Sequence, residues 1–155
     1  MATLYAARMA PDSLHFEDAE VIDEMKHGWA VLESAINLWR LVDPTRAELL
    51  RVFIFRVADA SKRHVQFAGD DLATLIQMIS GVGDAIQAAG VIGRDGRVSA
   101  ARLDELKQQV PAMDLELNRP DECKASALLE AICDVEALQG FLSSAQRAGC
   151  VVIHD

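Results

Sequence analysis

The apolar residues Ile22, Met25, Trp29, Leu32, Ile36 and Trp39 recur at steps of three and four, which is the spacing of one helix face. This spacing predicts a first long helix from about Phe16 to Val42. A second row beside it, Val21, Gly28, Ala35 and Val42, holds two small residues that let a neighbouring backbone come close. Asp43-Pro44-Thr45 then breaks the chain and restarts it. Pro44 suits a first helical turn, where its missing N–H costs nothing. Thr45 with Glu48 matches a capping box. Either start gives a second helix running to about His64. Its polar residues Glu48, Arg51, Arg56, Asp59, Lys62 and Arg63 fall within an arc of about 140°. The remaining apolar set includes Leu49, Leu50, Val52, Phe53, Ile54, Phe55 and Val57. So wide an apolar arc places this helix centrally, between two neighbours.

Asp70 or Asp71 is a candidate N-cap for a third helix, Asp71 to about Ala89, with Leu72, Leu75, Ile79, Val82 and Ile86 as its seam. Ser80, Gly81 and Gly83 interrupt that seam. A mid-helix glycine costs about 1 kcal/mol against alanine, so close packing, a kink or the approach of a ligand must compensate. Gly90 ends the helix. Asp95-Gly96, flanked by Val and Ile, signals a tight hairpin turn, and Ser99 caps a short fourth helix from Ala100 to Val110. Residues 113–117 alternate as a strand does. A last helix runs from about Pro120 to Ala148 on Leu128, Ala131, Ile132, Val135, Leu138, Leu142 and Ala145. Gly149 is its natural stop, and Cys150–Ile153 can pair with 113–117 as a short C-terminal β-pair. The expectation is an all-α, single-domain bundle of four to five helices over residues 13–155. Residues 1–12 are read as a tail or docking segment.

Length and composition support one domain with its own core. The chain has 155 residues, 51% of them hydrophobic, and only two Trp, one Tyr and five Phe, so the core is aliphatic. No apolar run approaches the roughly 18–20 residues of a membrane-spanning helix. Three cysteines without C-x-x-C spacing argue against a disulfide framework or a zinc site and for a reducing, cytoplasmic setting. The 24 acidic against 15 basic residues give a formal charge of −9. This balance disfavours nucleic acid and anionic membranes and permits a basic protein partner.

No reactive constellation is complete. Glu20, Asp23, Glu24 and His27 share one side of the first helix as drawn above. Glu24-Met25-Lys26-His27 spells E-x-x-H, but di-iron bundles need a second such motif and further inward carboxylates. Around Asp95-Gly96, the positions that a calcium loop would fill with carboxylates are Val91, Gly93 and Arg102. Phosphate-binding glycine loops and the G-x-S-x-G nucleophile turn are missing. Trp29 and Trp39 at helical spacing read as core, or as the walls of a pocket beside Gly81 and Gly83. No catalytic residue, metal or cofactor is assigned.

Apolar surface is in surplus. Val31, Leu38 and Leu41 lie off the first seam, so either that helix is wrapped on two sides or a leftover patch meets another chain, most economically a homodimer. The functional expectation is a non-enzymatic, acidic protein-binding module that regulates, adapts or neutralises by covering a partner surface. Its candidate residues are the acids Glu17, Asp18, Glu20, Asp23 and Glu24 and the basic strip Arg51, Arg56 and Arg63 on the second helix. The rival expectation is a small-ligand-binding or metal-dependent enzyme with its site inside the bundle.

Overall fold

A computed structural model describes residues 3–9, 19–60, 64–91, 101, 104 and 121–154, with side chains from 128 onward in the last segment. The fold is α+β rather than all-α. Strands β1 (Leu4–Arg8) and β2 (Glu20–Met25) precede helices α1 (Gly28–Val42) and α2 (Pro44–Ala60). Strand β3 (Val65–Phe67), helices α3 (Asp70–Ile79), α4 (Val82–Ala88) and α5 (Asp121–Arg147), and strand β4 (Val151–His154) follow. The strands form one antiparallel sheet in the order β2-β1-β4-β3.

The sheet is the main correction to the helical-bundle expectation. Residues 4–8, read as part of a tail or docking segment, are an inner strand, with Leu4 opposite Met25 on one side and His154 on the other. The expected first helix is divided. Glu20–Met25 within it is strand β2, residues 16–18 lie outside the described residues, and His27 turns the chain in the left-handed region (φ 60°) before α1 begins at Gly28. The β-branched Val21 and Ile22 fit a strand as well as a helix, and pairing with β1 decides between them. Cys150–Ile153, expected to form a strand with 113–117, lies largely in β4, which pairs with β1 and β3 instead. Residues 113–117, the Asp95-Gly96 turn and most of the expected fourth helix lie outside the described residues.

Antiparallel register puts Leu4, Ala6, Val152 and Phe67 on one face of the sheet. All four are buried there in the core shared with the helices. The central helix is α1, not α2. Gly28, Val31, Leu32, Ala35, Ile36, Leu38, Trp39 and Leu41 are all buried, because α1 packs against α2, α4 and α5. This settles the alternative posed by Val31, Leu38 and Leu41: the fold wraps α1. Helix α2 buries Ala47, Leu50, Phe53, Ile54 and Val57, while Leu49, Val52 and Phe55 are 57%, 50% and 52% exposed. Helix α2 does pack against more than one neighbour (α1, α3 and β3), but its buried face is narrower than expected and it lies at the side of the core rather than at its centre. Val52 and Phe55 fall among Glu48, Arg51, Arg56 and Asp59, on the outer side.

Helix boundaries follow local chemistry. Pro44 is the first residue of α2, and the Asp43 carboxylate accepts the Arg46 N–H at 3.1 Å. That is the N-cap role the capping-box pattern assigns to Thr45, filled instead by Asp43. The expected third helix is two helices, broken at Ser80-Gly81, where Gly81 takes φ 82°. Gly83 serves close packing instead: a Cβ there would lie 3.1 Å from Ile132 Cγ2. Helix α5 ends as expected at Gly149 (φ 69°). Its inner face gains Phe141, which the heptad reading omitted.

Gly28 fits directly against the sheet. A Cβ at this position would stand 2.7 Å from Leu4 Cγ and Cδ1, and Leu4 is fully buried. Gly140, exposed within α5, has nothing within 4 Å of such a Cβ. The two glycines should respond to alanine with opposite signs. Gly28→Ala should cost about 1–3 kcal/mol by overpacking, and Gly140→Ala should add up to about 1 kcal/mol through helix propensity, both read from urea unfolding midpoints.

Candidate functional site

The helix break at Ser80-Gly81 is held by groups from three elements. Arg46, in the first turn of α2, donates from Nε to the Met78 carbonyl (3.3 Å) and from an Nη to the carbonyls of Gln77 (3.0 Å) and Ser80 (2.9 Å). Its guanidinium lies 3.9 Å from the centre of the Trp39 ring on α1. From α5, Gln139 Nε2 donates to Ser80 Oγ at 3.1 Å. Carbonyls at a helix C-terminus lack partners and carry partial negative charge, so a cation that also donates hydrogen bonds suits them. The sequence reading missed Arg46. A signal was present: a cation in the first turn of its own helix opposes that helix dipole, which suggests that it serves another element.

This node is structural. Its carbonyls are already taken by Arg46, and it brings no nucleophile or acid–base pair together. Trp29 and Trp39 do not line one pocket. They are ten residues apart on α1, hence about 15 Å along its axis. Trp39 lies beneath Arg46, whereas Trp29 stacks against His154 of β4 with ring centres 4.4 Å apart.

The E-x-x-H motif loses its premise, because Glu24 lies in β2 and His27 in the turn after it, not on one helical face. Among the described residues no group of three or more His, Cys, Asp or Glu side chains is placed to hold a metal ion. Nor is any described helix long and apolar enough to cross a membrane. Cys133 is exposed and Cys150 buried, both as free thiols.

Two surfaces remain. The first is β2, an edge strand. Glu20, Val21, Ile22, Asp23 and Glu24 are all exposed, Val21 and Ile22 to 45% each. The structure thus gathers three of the five candidate acids on one sheet edge, in a strand rather than along a helix. Here the Asp23 carboxylate accepts the Glu24 N–H at 2.9 Å. Glu17 and Asp18 lie outside the described residues.

The second surface is the outer side of α2, with Leu49, Val52 and Phe55 among charged residues. The basic strip expected there is not a free cationic surface. Arg51 pairs with Glu48 one turn before it, and Arg56 with Asp71 of α3 at 3.3 Å; Arg63 lies outside the described residues. The Arg51 hydrogen bond holds the Glu48 carboxyl below its ordinary pKa, and Glu48 in turn raises that of Arg51. Glu48 therefore keeps its charge further into acid than a free glutamate, and the pair is lost only as pH falls through that lowered value.

No family model, curated protein or solved structure matches the chain.

The Arg46 node makes a direct prediction. Arg46→Met retains an apolar stem over Trp39 but removes the donors. It should cost about 1–2 kcal/mol in unfolding free energy and speed amide exchange around residues 78–82. Arg46→Lys should restore only part of the loss, since a single ammonium cannot reproduce the planar fork. Unchanged exchange in Arg46→Met would remove the node from the account of the break.

Proposed function

We propose that the protein is a non-enzymatic binding module whose sheet edge takes up an extended, basic segment of a partner protein. The observation that carries this reading is β2: an edge strand, hydrogen-bonded to β1, that exposes acids and β-branched residues together. An exposed edge offers backbone donors and acceptors, and an extended peptide satisfies them by adding a strand. Side chains then select among peptides. Glu20, Asp23 and Glu24 repel acidic strands and attract Lys or Arg, while Val21 and Ile22 supply apolar contact. The same charges oppose pairing of β2 with β2 of another copy, because three acids would face three acids. The overall charge of −9 acts in the same sense by steering a basic partner toward the molecule. Binding of this kind acts by occlusion, as a regulator, adaptor or neutralising protein does, and cysteines without a disulfide or zinc spacing support a reducing, cytoplasmic setting for it.

Selection from an unbiased library of displayed decapeptides should enrich Lys or Arg alternating with aliphatic residues. Asp23→Lys with Glu24→Lys should weaken the selected peptides at least about tenfold, the order of one or two lost charge contacts, while leaving the unfolding midpoint near that of the parent. Enrichment of acidic peptides would reverse the reading. Thermal stabilisation by metabolites, with no peptide selected, would favour a ligand-binding protein instead.

A further inference from the structure

The outer face of α2 has a symmetry that the fold does not use. Thr45, Glu48, Leu49, Val52, Phe55, Arg56 and Asp59 are all exposed. At 100° per residue they lie within about 60° on either side of Val52, so they form one stripe. The stripe steps by three and four, as a packing seam does, yet it faces outward. Its apolar members are three of the six large apolar side chains exposed among the described residues.

The order of residues along the stripe is close to palindromic in character. Leu49 and Phe55 stand three residues either side of Val52, and Glu48 and Arg56 stand four residues either side. A twofold axis through Val52, perpendicular to the helix, lays a second α2 antiparallel on the first. It sets Val52 against Val52, brings each Leu49 level with Phe55 of the other copy, and brings each Glu48 level with Arg56 of the other copy. The levels of Glu48 and Arg56 then each hold one acid and one base, while Asp59 comes level with the uncharged Thr45 of the other copy. A parallel pairing would instead set Glu48 against Glu48 and Arg56 against Arg56. The net charge of −9 resists self-association in general, but on this stripe Glu48 and Asp59 stand with Arg56, and Arg51 borders it, so two charges of each sign from each copy meet here and repulsion is low.

We propose that α2 is the interface of a twofold homodimer, with a second copy of this chain packed antiparallel along Leu49, Val52 and Phe55 and the axis at Val52. The interface is isologous and leaves β2 available, so it does not depend on the function proposed above.

Cysteine cross-linking tests the register as well as the association. Packed helices are about 8–10 Å apart and their Cα atoms lie about 2.3 Å from each axis, which leaves facing Cα atoms about 4–5 Å apart. A disulfide spans about 4.4–6.8 Å between Cα atoms. In a chain carrying Cys123→Ser and Cys133→Ser, Val52→Cys should therefore give a covalent dimer on mild copper–phenanthroline oxidation. Leu49→Cys should not, because its two copies lie about 9 Å apart along the axis. Light scattering on the unmodified chain should show a dimer across the micromolar range, and Val52→Asp should convert it to a folded monomer with an unchanged circular dichroism spectrum. Any of three results overturns the proposal: a monomer throughout that range, a dimer that survives Val52→Asp, or equal cross-linking at positions 49 and 52. If the unmodified chain is monomeric and the Val52→Cys thiol resists labelling, another part of the same chain covers the stripe and the second copy is excluded.

Discussion

Burial of α1 on all but one face is the condition that shapes the rest of the molecule. Eight of its fifteen residues are buried, and only the side of Ala30 and Glu33 reaches the surface. Such burial requires α2 on one flank, α4 and α5 on others, and the sheet at the helix's N-terminal end. That last contact leaves no room for a side chain on Gly28, where Leu4 of β1 fills the space. At α1 the sheet is attached through the inner strand β1, while β3 packs against α2 and α3 and β4 against α5. The outer strand β2 is held by β1 on one side and keeps Glu20 to Glu24 exposed.

The division between α3 and α4 coincides with a change of neighbours. Helix α3 packs against α2, β3 and α5, whereas α4 packs against α1 and α5. The chain turns at Gly81, and the turn exposes helix-end carbonyls beside the core. Arg46 reaches them from α2 while its guanidinium rests on Trp39. A cation placed against its own helix dipole is thereby reused at the end of another helix, where the field favours it. One side chain links three helices, and Gln139 adds the fourth.

Sequence pattern revealed the helices whose ends are marked by proline or glycine. Pro44 and Gly149 delimit α2 and α5 because each residue forces a local conformation whatever the surroundings. The strands were hidden for opposite reasons. In β1 the two alanines, Ala6 and Ala7, have little strand preference, and the strand is fixed by partners far along the chain. In β2 the helical spacing of Ile22 and Met25 runs on without a break into Trp29 and Leu32, so periodicity alone carries the helix through the His27 turn. The acids of β2 were recognisable as exposed, but their arrangement along a sheet edge was not, since it depends on β1. On α2 the reading failed in another way: Val52 and Phe55 were grouped with the core because they are apolar, although their angular positions lie among the charges.

The pairing of β1 with β4 has a consequence for how the molecule is made. Leu4 is paired across the sheet with His154, so the inner pair joins segments 150 residues apart. A ribosome delivering this protein releases β1 and β2 long before β4 exists. They can meet early as an antiparallel pair, but one side of β1 must wait, its backbone groups bonded to water, until α5 has emerged. Closing so long a loop is entropically expensive and slow. The nascent chain therefore passes through a stage in which β1 is itself an open edge, and docking of α5, which brings β4 into register, ends that exposure.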